Sequence, residues 1–138
     1  MPVIDASVAI SWFVPQANAD IATTVLASGR LLRAPGRLRL EAASALLRAV
    51  RRREIDEAHA RRILDVLIPA SVEFADAPED EREAFGLAIA HGGSVHDGLY
   101  VASAGRLGAT LVTADHRMHQ TARGAGVRTR LLGDGPPW

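Results

Sequence analysis

The sequence predicts an α/β protein, a parallel sheet covered by helices on both faces. Short apolar segments alternate along the chain with segments of helical period. Strands separated by helices pair in parallel, and a parallel sheet is buried on both sides. At 48% hydrophobic over 138 residues, the chain is too apolar for disorder and long enough for one domain with a core.

The elements follow in order. Residues 2–5 read as a short buried strand. Ser7 can cap a helix that starts near Val8 and ends before Pro15. Residues 18–28 read as a second helix, stopped by Gly29. Leu31 to Ala34, ahead of Pro35, is a second strand. Residues 38–53 form a helix with Leu40, Ala43, Leu47 and Val50 on one face, and residues 56–67 form another. Val72 to Phe74 is a short strand. Residues 79–90 make a helix whose acidic front suits the helix dipole. Residues 96–107 are a helix rich in small residues, expected to be buried. Thr110 to Thr113 is a strand, 115–123 a helix, and Val127 to Thr129 a last strand. The domain is expected to span residues 1–132. The turn-rich run Gly133 to Pro137 should leave residues 133–138 as a loose tail.

Four carboxylates stand where apolar segments begin or end: Asp5, Glu41, Asp97 and Asp115. Asp5 closes the first strand, and Asp115 follows Leu111 to Ala114. Parallel strands place both at one edge of the sheet, where such folds build their sites. Each acid alone has an ordinary reading. Asp5 and Asp115 could cap helices, Asp97 follows Ser94 at capping-box spacing, and Glu41 could be a solvated helix acid. Gathered together they repel, at roughly 4 kcal/mol per pair for about 4 Å and an effective dielectric near 20. A divalent cation with a taste for oxygen, Mg²⁺ or Mn²⁺, relieves that repulsion.

Composition excludes several classes. Cysteine is absent, which removes disulfides, thiolate zinc sites and cysteine nucleophiles. No apolar run approaches the length of a membrane span, and no signal peptide is visible, so a cytoplasmic protein with no membrane association is expected. All sixteen basic residues are arginine. Without lysine, a P-loop or a complete receiver or haloacid-dehalogenase-type site cannot be present. The net charge of zero gives no global field for nucleic acid. The arginines cluster nonetheless, at 30–39, 48–62 and 117–130, and a guanidinium suits phosphate. His96-Asp97 resembles the pair of HD-type phosphohydrolases, but those are all helical. His116 and His119 are spaced for zinc without a third ligand, and Trp12, Phe13 and Tyr100 read as core.

Four motifs taken together resemble a known family. Val3-Ile4-Asp5-Ala6-Ser7-Val8-Ala9-Ile10-Ser11-Trp12-Phe13 is similar to the opening of PIN-domain proteins, specifically VapC-type toxins of toxin–antitoxin pairs. Leu40 to Leu46, Ser94 to Ala102, and Leu111 to Arg117 resemble the second, third and fourth motifs, in order and from residue 2 to about 132. The resemblance implies a three-layer α/β/α fold and a metal-dependent endoribonuclease leaving 5′-phosphate and 3′-hydroxyl ends. It implies Asp5, Glu41, Asp97 and Asp115 as catalytic acids that hold Mg²⁺ or Mn²⁺, with Thr113 arranging the site. Ser44, His96 and Gly98 depart from the common Asn, Tyr and Ala, and none of these removes an acid. A cognate antitoxin, an RNA substrate and a homodimer follow from the same resemblance. A silent RNA- or protein-binding module, and a DNA-directed nuclease of the flap type, are the rival readings.

Overall fold

The computed structural model describes residues 1–138. Five strands form one sheet: β1 (Pro2–Ile4), β2 (Arg33–Ala34), β3 (Glu73–Phe74), β4 (Thr110–Thr113) and β5 (Thr129–Leu131). Their order is β3-β2-β1-β4-β5, and every pairing is parallel. The last strand lies two residues beyond its expected start. Leu111 and Val112 of β4, with Val3 and Ile4 of β1, are fully buried, as central parallel strands require.

The crossovers are helical. α1 (Ala6–Ser11) and α2 (Ala19–Ala27) lead from β1 to β2. α3 (Arg37–Arg51), α4 (Glu57–Arg62) and α5 (Ile68–Ser71) lead from β2 to β3, with a π turn at Ile63–Leu67 between the last two. α6 (Pro78–His91) and α7 (Val95–Leu107) return the chain to β4, and α8 (His116–Gly124) reaches β5. α1 packs on α2 and α3; α7 packs on α6 and α8. Right-handed crossovers in opposite directions put these groups on opposite faces of the sheet, completing the three layers.

Three expectations need correction. The buried face of α3 is Leu38, Ala42, Leu46 and Ala49; Leu40 and Leu47 point to solvent. Apolar residues flank the helix on two stripes, and packing against α1 and α4 selects one. The cap of α1 is Asp5, whose side chain accepts from the Val8 amide, while Ser7 lies inside the helix. Residues 133–138 are tied back: Arg130 donates to the carbonyls of Gly135 and Pro136, at 2.6 and 3.0 Å, and Trp138 Nε1 donates to Thr24 Oγ1.

Gly98 sets the spacing of α6 and α7. A Cβ there would stand 2.9 Å from the Ala84 carbonyl oxygen and 3.1 Å from its Cα. Backbone cannot yield as a side-chain tip can, so Gly98→Ala is expected to destabilise the fold. Overpacking costs about 1–3 kcal/mol, against a gain of about 1 kcal/mol in helix propensity. A urea midpoint at or above that of the parent would show that α6 and α7 separate freely.

Candidate active site

The site grows from the register of β1 and β4. Ile4 pairs with Val112, so Asp5, just past β1, comes beside Thr113, the last residue of β4. The sheet order reverses direction between these two strands, which opens a crevice at their carboxyl ends. Asp5 is buried there. Its Oδ2 accepts from Thr113 Oγ1 at 2.6 Å, and its Oδ1 accepts from Ser7 Oγ at 2.5 Å and from the Val8 amide at 3.2 Å. Ser7 Oγ in turn accepts from the Ala114 amide at 3.3 Å, which ties α1 to the end of β4.

Burial pushes the Asp5 carboxyl up to about 6. The bonds from Ser7, Thr113 and Val8 pull the other way, and the charge of Asp115 adds to the rise. Asp115 caps α8, accepting from the amides of Arg117 and Met118 at 2.8 and 3.1 Å. Its own amide donates to Thr113 Oγ1 at 2.9 Å, so one hydroxyl links two acids. Asp97 sits in the first turn of α7, its amide donating to Ser94 Oγ at 3.1 Å. Burial raises its carboxyl, Asp115 raises it further, and Ser94, His96 and Arg117 offset part of the rise. The charge of Asp115 therefore bears on both Asp5 and Asp97.

Glu41 approaches from α3. It shares Tyr100 with Asp5: burial raises the phenol first, then the charges of Glu41 and Asp5, then Glu41 as a nearby acceptor. Glu41 is occupied by Arg37, one turn earlier on α3, at 2.8 Å. Beside it a cleft of about 490 Å³ opens, lined by Ser7, Gln16, Arg37, Glu41, Ser44 and Arg48.

The donors here are carboxylates and hydroxyls, the hard oxygens that suit Mg²⁺ or Mn²⁺. As the side chains stand, no three acidic or histidine groups converge to clasp an ion. Glu41 is engaged by Arg37 and Asp115 by its helix cap. A buried Asp5 whose carboxyl is pushed up to about 6 fits a site short of positive charge.

A match to the PIN domain family runs from residue 3 to residue 124. The chain belongs to the PIN domain family. Among its relatives is ribonuclease VapC3 of Pyrobaculum aerophilum, 29% identical over 118 residues, which make up 84% of this chain and 90% of that one. FitAcB from Neisseria gonorrhoeae has the same fold, with a TM-score of 0.69 at 18% identity, covering 96% of this chain and 99% of that one. So does VapC20 of Mycobacterium tuberculosis, a sarcin–ricin-loop-cleaving toxin, with a TM-score of 0.68 at 15% identity over 92% of this chain and 96% of that one.

Seen within a PIN domain, three side chains at this edge were not assigned to the site from sequence: Ser7, Arg37 and Tyr100. Their spacing carried the signal. Ser7 is two residues from Asp5, Arg37 one turn before Glu41, and Tyr100 three residues after Asp97 on the same face of α7.

Proposed function

We propose that this PIN domain is a metal-dependent endoribonuclease, the toxin of a toxin–antitoxin pair, with residues 1–132 as its nuclease unit. The carrying observation is the buried Asp5, held by Thr113 and Ser7 at the β1–β4 switch point within reach of the charge of Asp115. The ribonuclease name of its Pyrobaculum relative supports the activity, and the toxin name of the Mycobacterium structure supports the biological role.

Asp5, Glu41, Asp97 and Asp115 would hold Mg²⁺ or Mn²⁺. Such an ion, when bound, supplies Lewis acidity toward a phosphodiester and toward water beside it. The chain's own residues do the rest. Thr113 and Ser7 fix the Asp5 carboxylate in one orientation, and the Thr113 hydroxyl couples it to the start of α8. Arg37 and Arg48 line the cleft and offer guanidinium groups to RNA phosphates. No side chain is needed as a covalent nucleophile.

The test is cleavage of cellular RNA by the purified chain with Mg²⁺ or Mn²⁺ and again with EDTA. Cleavage that EDTA abolishes is expected. Binding without cleavage under any metal would favour the silent binding module.

A second expectation concerns RNA grip. Arg48 lines the cleft, and Arg52 lies exposed at the C-cap of α3. Replacing both by Gln should flatten the salt dependence of RNA binding by about 0.7 in log–log slope for each phosphate that is no longer neutralised. An unchanged slope would mean that these arginines only solvate the helix.

The partner would be an antitoxin protein in the same cytoplasm. An arginine from it can fork across two of the carboxylates and stand in for the charge of a cation. Exposed Leu40, which lines the cleft, and exposed Leu47 on α3 and Val66 after α4 offer it apolar surface. The same surfaces, with Phe85 and Ile89 of α6, are available to a homodimer. Co-purification with the neighbouring gene product, and its suppression of cleavage, tests the pairing.

A further inference from the structure

Two anomalies meet at Glu41. Arg37 Nε stands 2.8 Å from its carboxylate, yet the N–H is not aligned on the oxygen and makes no hydrogen bond. The Tyr100 hydroxyl, in a fully buried side chain, makes no well-formed hydrogen bond either, although Glu41 lies near enough to act on it as an acceptor. The ionisable groups that bear on this hydroxyl are Glu41, Asp5 and Arg37. A poorly anchored carboxylate thus has two imperfectly aligned neighbours, the Arg37 guanidinium and the Tyr100 hydroxyl.

We propose that Tyr100 is a positioning residue for Glu41. With a divalent cation held by the acids, the Glu41 carboxylate would exchange its contact with Arg37 for a well-formed hydrogen bond from the Tyr100 hydroxyl. Arg37, released, faces the cleft that it already lines, where an RNA phosphate can take the place of the carboxylate. The inference rests on the metal-nuclease reading above. Its physical basis is that a buried hydroxyl is disfavoured without an acceptor, and that a guanidinium beside an acid competes with a metal for the same charge. A ring that served only as core would leave both anomalies idle.

The experiment measures Mn²⁺ affinity calorimetrically for the full chain and its Tyr100→Phe, Glu41→Gln and doubly substituted forms. Tyr100→Phe should weaken Mn²⁺ by about 10–100-fold, the usual effect of removing a hydrogen-bond partner of a ligand. In the Glu41→Gln background it should have no further effect. Its melting temperature in EDTA should not fall, because without metal the hydroxyl makes no well-formed hydrogen bond. Arg37→Gln should bind Mn²⁺ more tightly than the parent. Tyr100 is the chain's single tyrosine, so ultraviolet resonance Raman reports on it alone. Mg²⁺ should shift that signal toward a hydrogen-bond donor. Affinity of Tyr100→Phe within about twofold of the parent, an equal loss in both backgrounds, or an unmoved tyrosine signal overturns the proposal while leaving the nuclease reading intact. A parent chain that takes up no Mn²⁺ overturns both.

Discussion

Asparagine at position 5 is expected to abolish metal-dependent RNA cleavage and, without metal, to stabilise the protein above about pH 6. Burial raises the Asp5 carboxyl from 3.8 to about 6. The native state therefore holds this proton more tightly than the unfolded chain does. The stability it contributes is complete below about pH 4 and is lost as pH rises through about 6. The loss amounts to roughly 3 kcal/mol. Asparagine does not titrate, so the variant should lack this part of the pH dependence. Some of the gain is offset, because the new amide must donate to Thr113 Oγ1, which already accepts from the Asp115 amide. Melting temperatures in EDTA across pH 4 to 8, alongside RNA cleavage with Mg²⁺, check both halves. Asp97→Asn should abolish cleavage as well. Full activity in either variant would remove that acid from the site, and parallel pH profiles for parent and Asp5→Asn would show that burial of this carboxylate carries no penalty.

Breaking the Arg106–Asp80 pair should give the largest loss of stability. Asp80 is buried on α6, and Arg106 on α7 grips both of its oxygens, at 2.8 and 2.9 Å. The same guanidinium reaches the Ala75 carbonyl at 3.4 Å. Arg106→Leu leaves a buried carboxylate without its cation, which costs about 3 kcal/mol, the low end for such pairs because Arg106 is partly exposed. Replacing Asp80 by Asn in the same chain removes the orphaned charge and should recover much of the loss. Denaturant unfolding of the single and double variants measures this. Equal stability of parent and Arg106→Leu would mean that water reaches Asp80 freely. The pair also holds α6 against α7, the helix that carries Asp97 and Tyr100, so cleavage should fall with stability.

Asp5 and Asp115 could be placed from sequence because each closes a short apolar strand, and parallel strands end on the same edge. Glu41 and Asp97 could not be placed that way. One sits mid-helix and the other in a helical first turn, and their grouping with Asp5 and Asp115 stayed a hypothesis until the four-motif resemblance supported it. The helices at 18–28, 79–90 and 96–107 were legible for a local reason: periodicity, caps and glycine stops lie within a turn or two of each boundary.

By itself the sequence determined the alternation of strands and helices, the parallel sheet, the family, and the absence of any thiol or lysine chemistry. These follow from residue type and near-neighbour spacing. The tertiary structure alone decided which stripe of α3 is buried, because two apolar stripes share that helix and only the packing of α1 and α4 chooses between them. It alone brought Thr113 onto Asp5, 108 positions away, through the β1–β4 register. It alone brought Tyr100 of α7 to Glu41 of α3. A hydrogen bond or an ion pair depends on distances of a few ångströms between segments far apart in the chain, and that information resides in the packed fold.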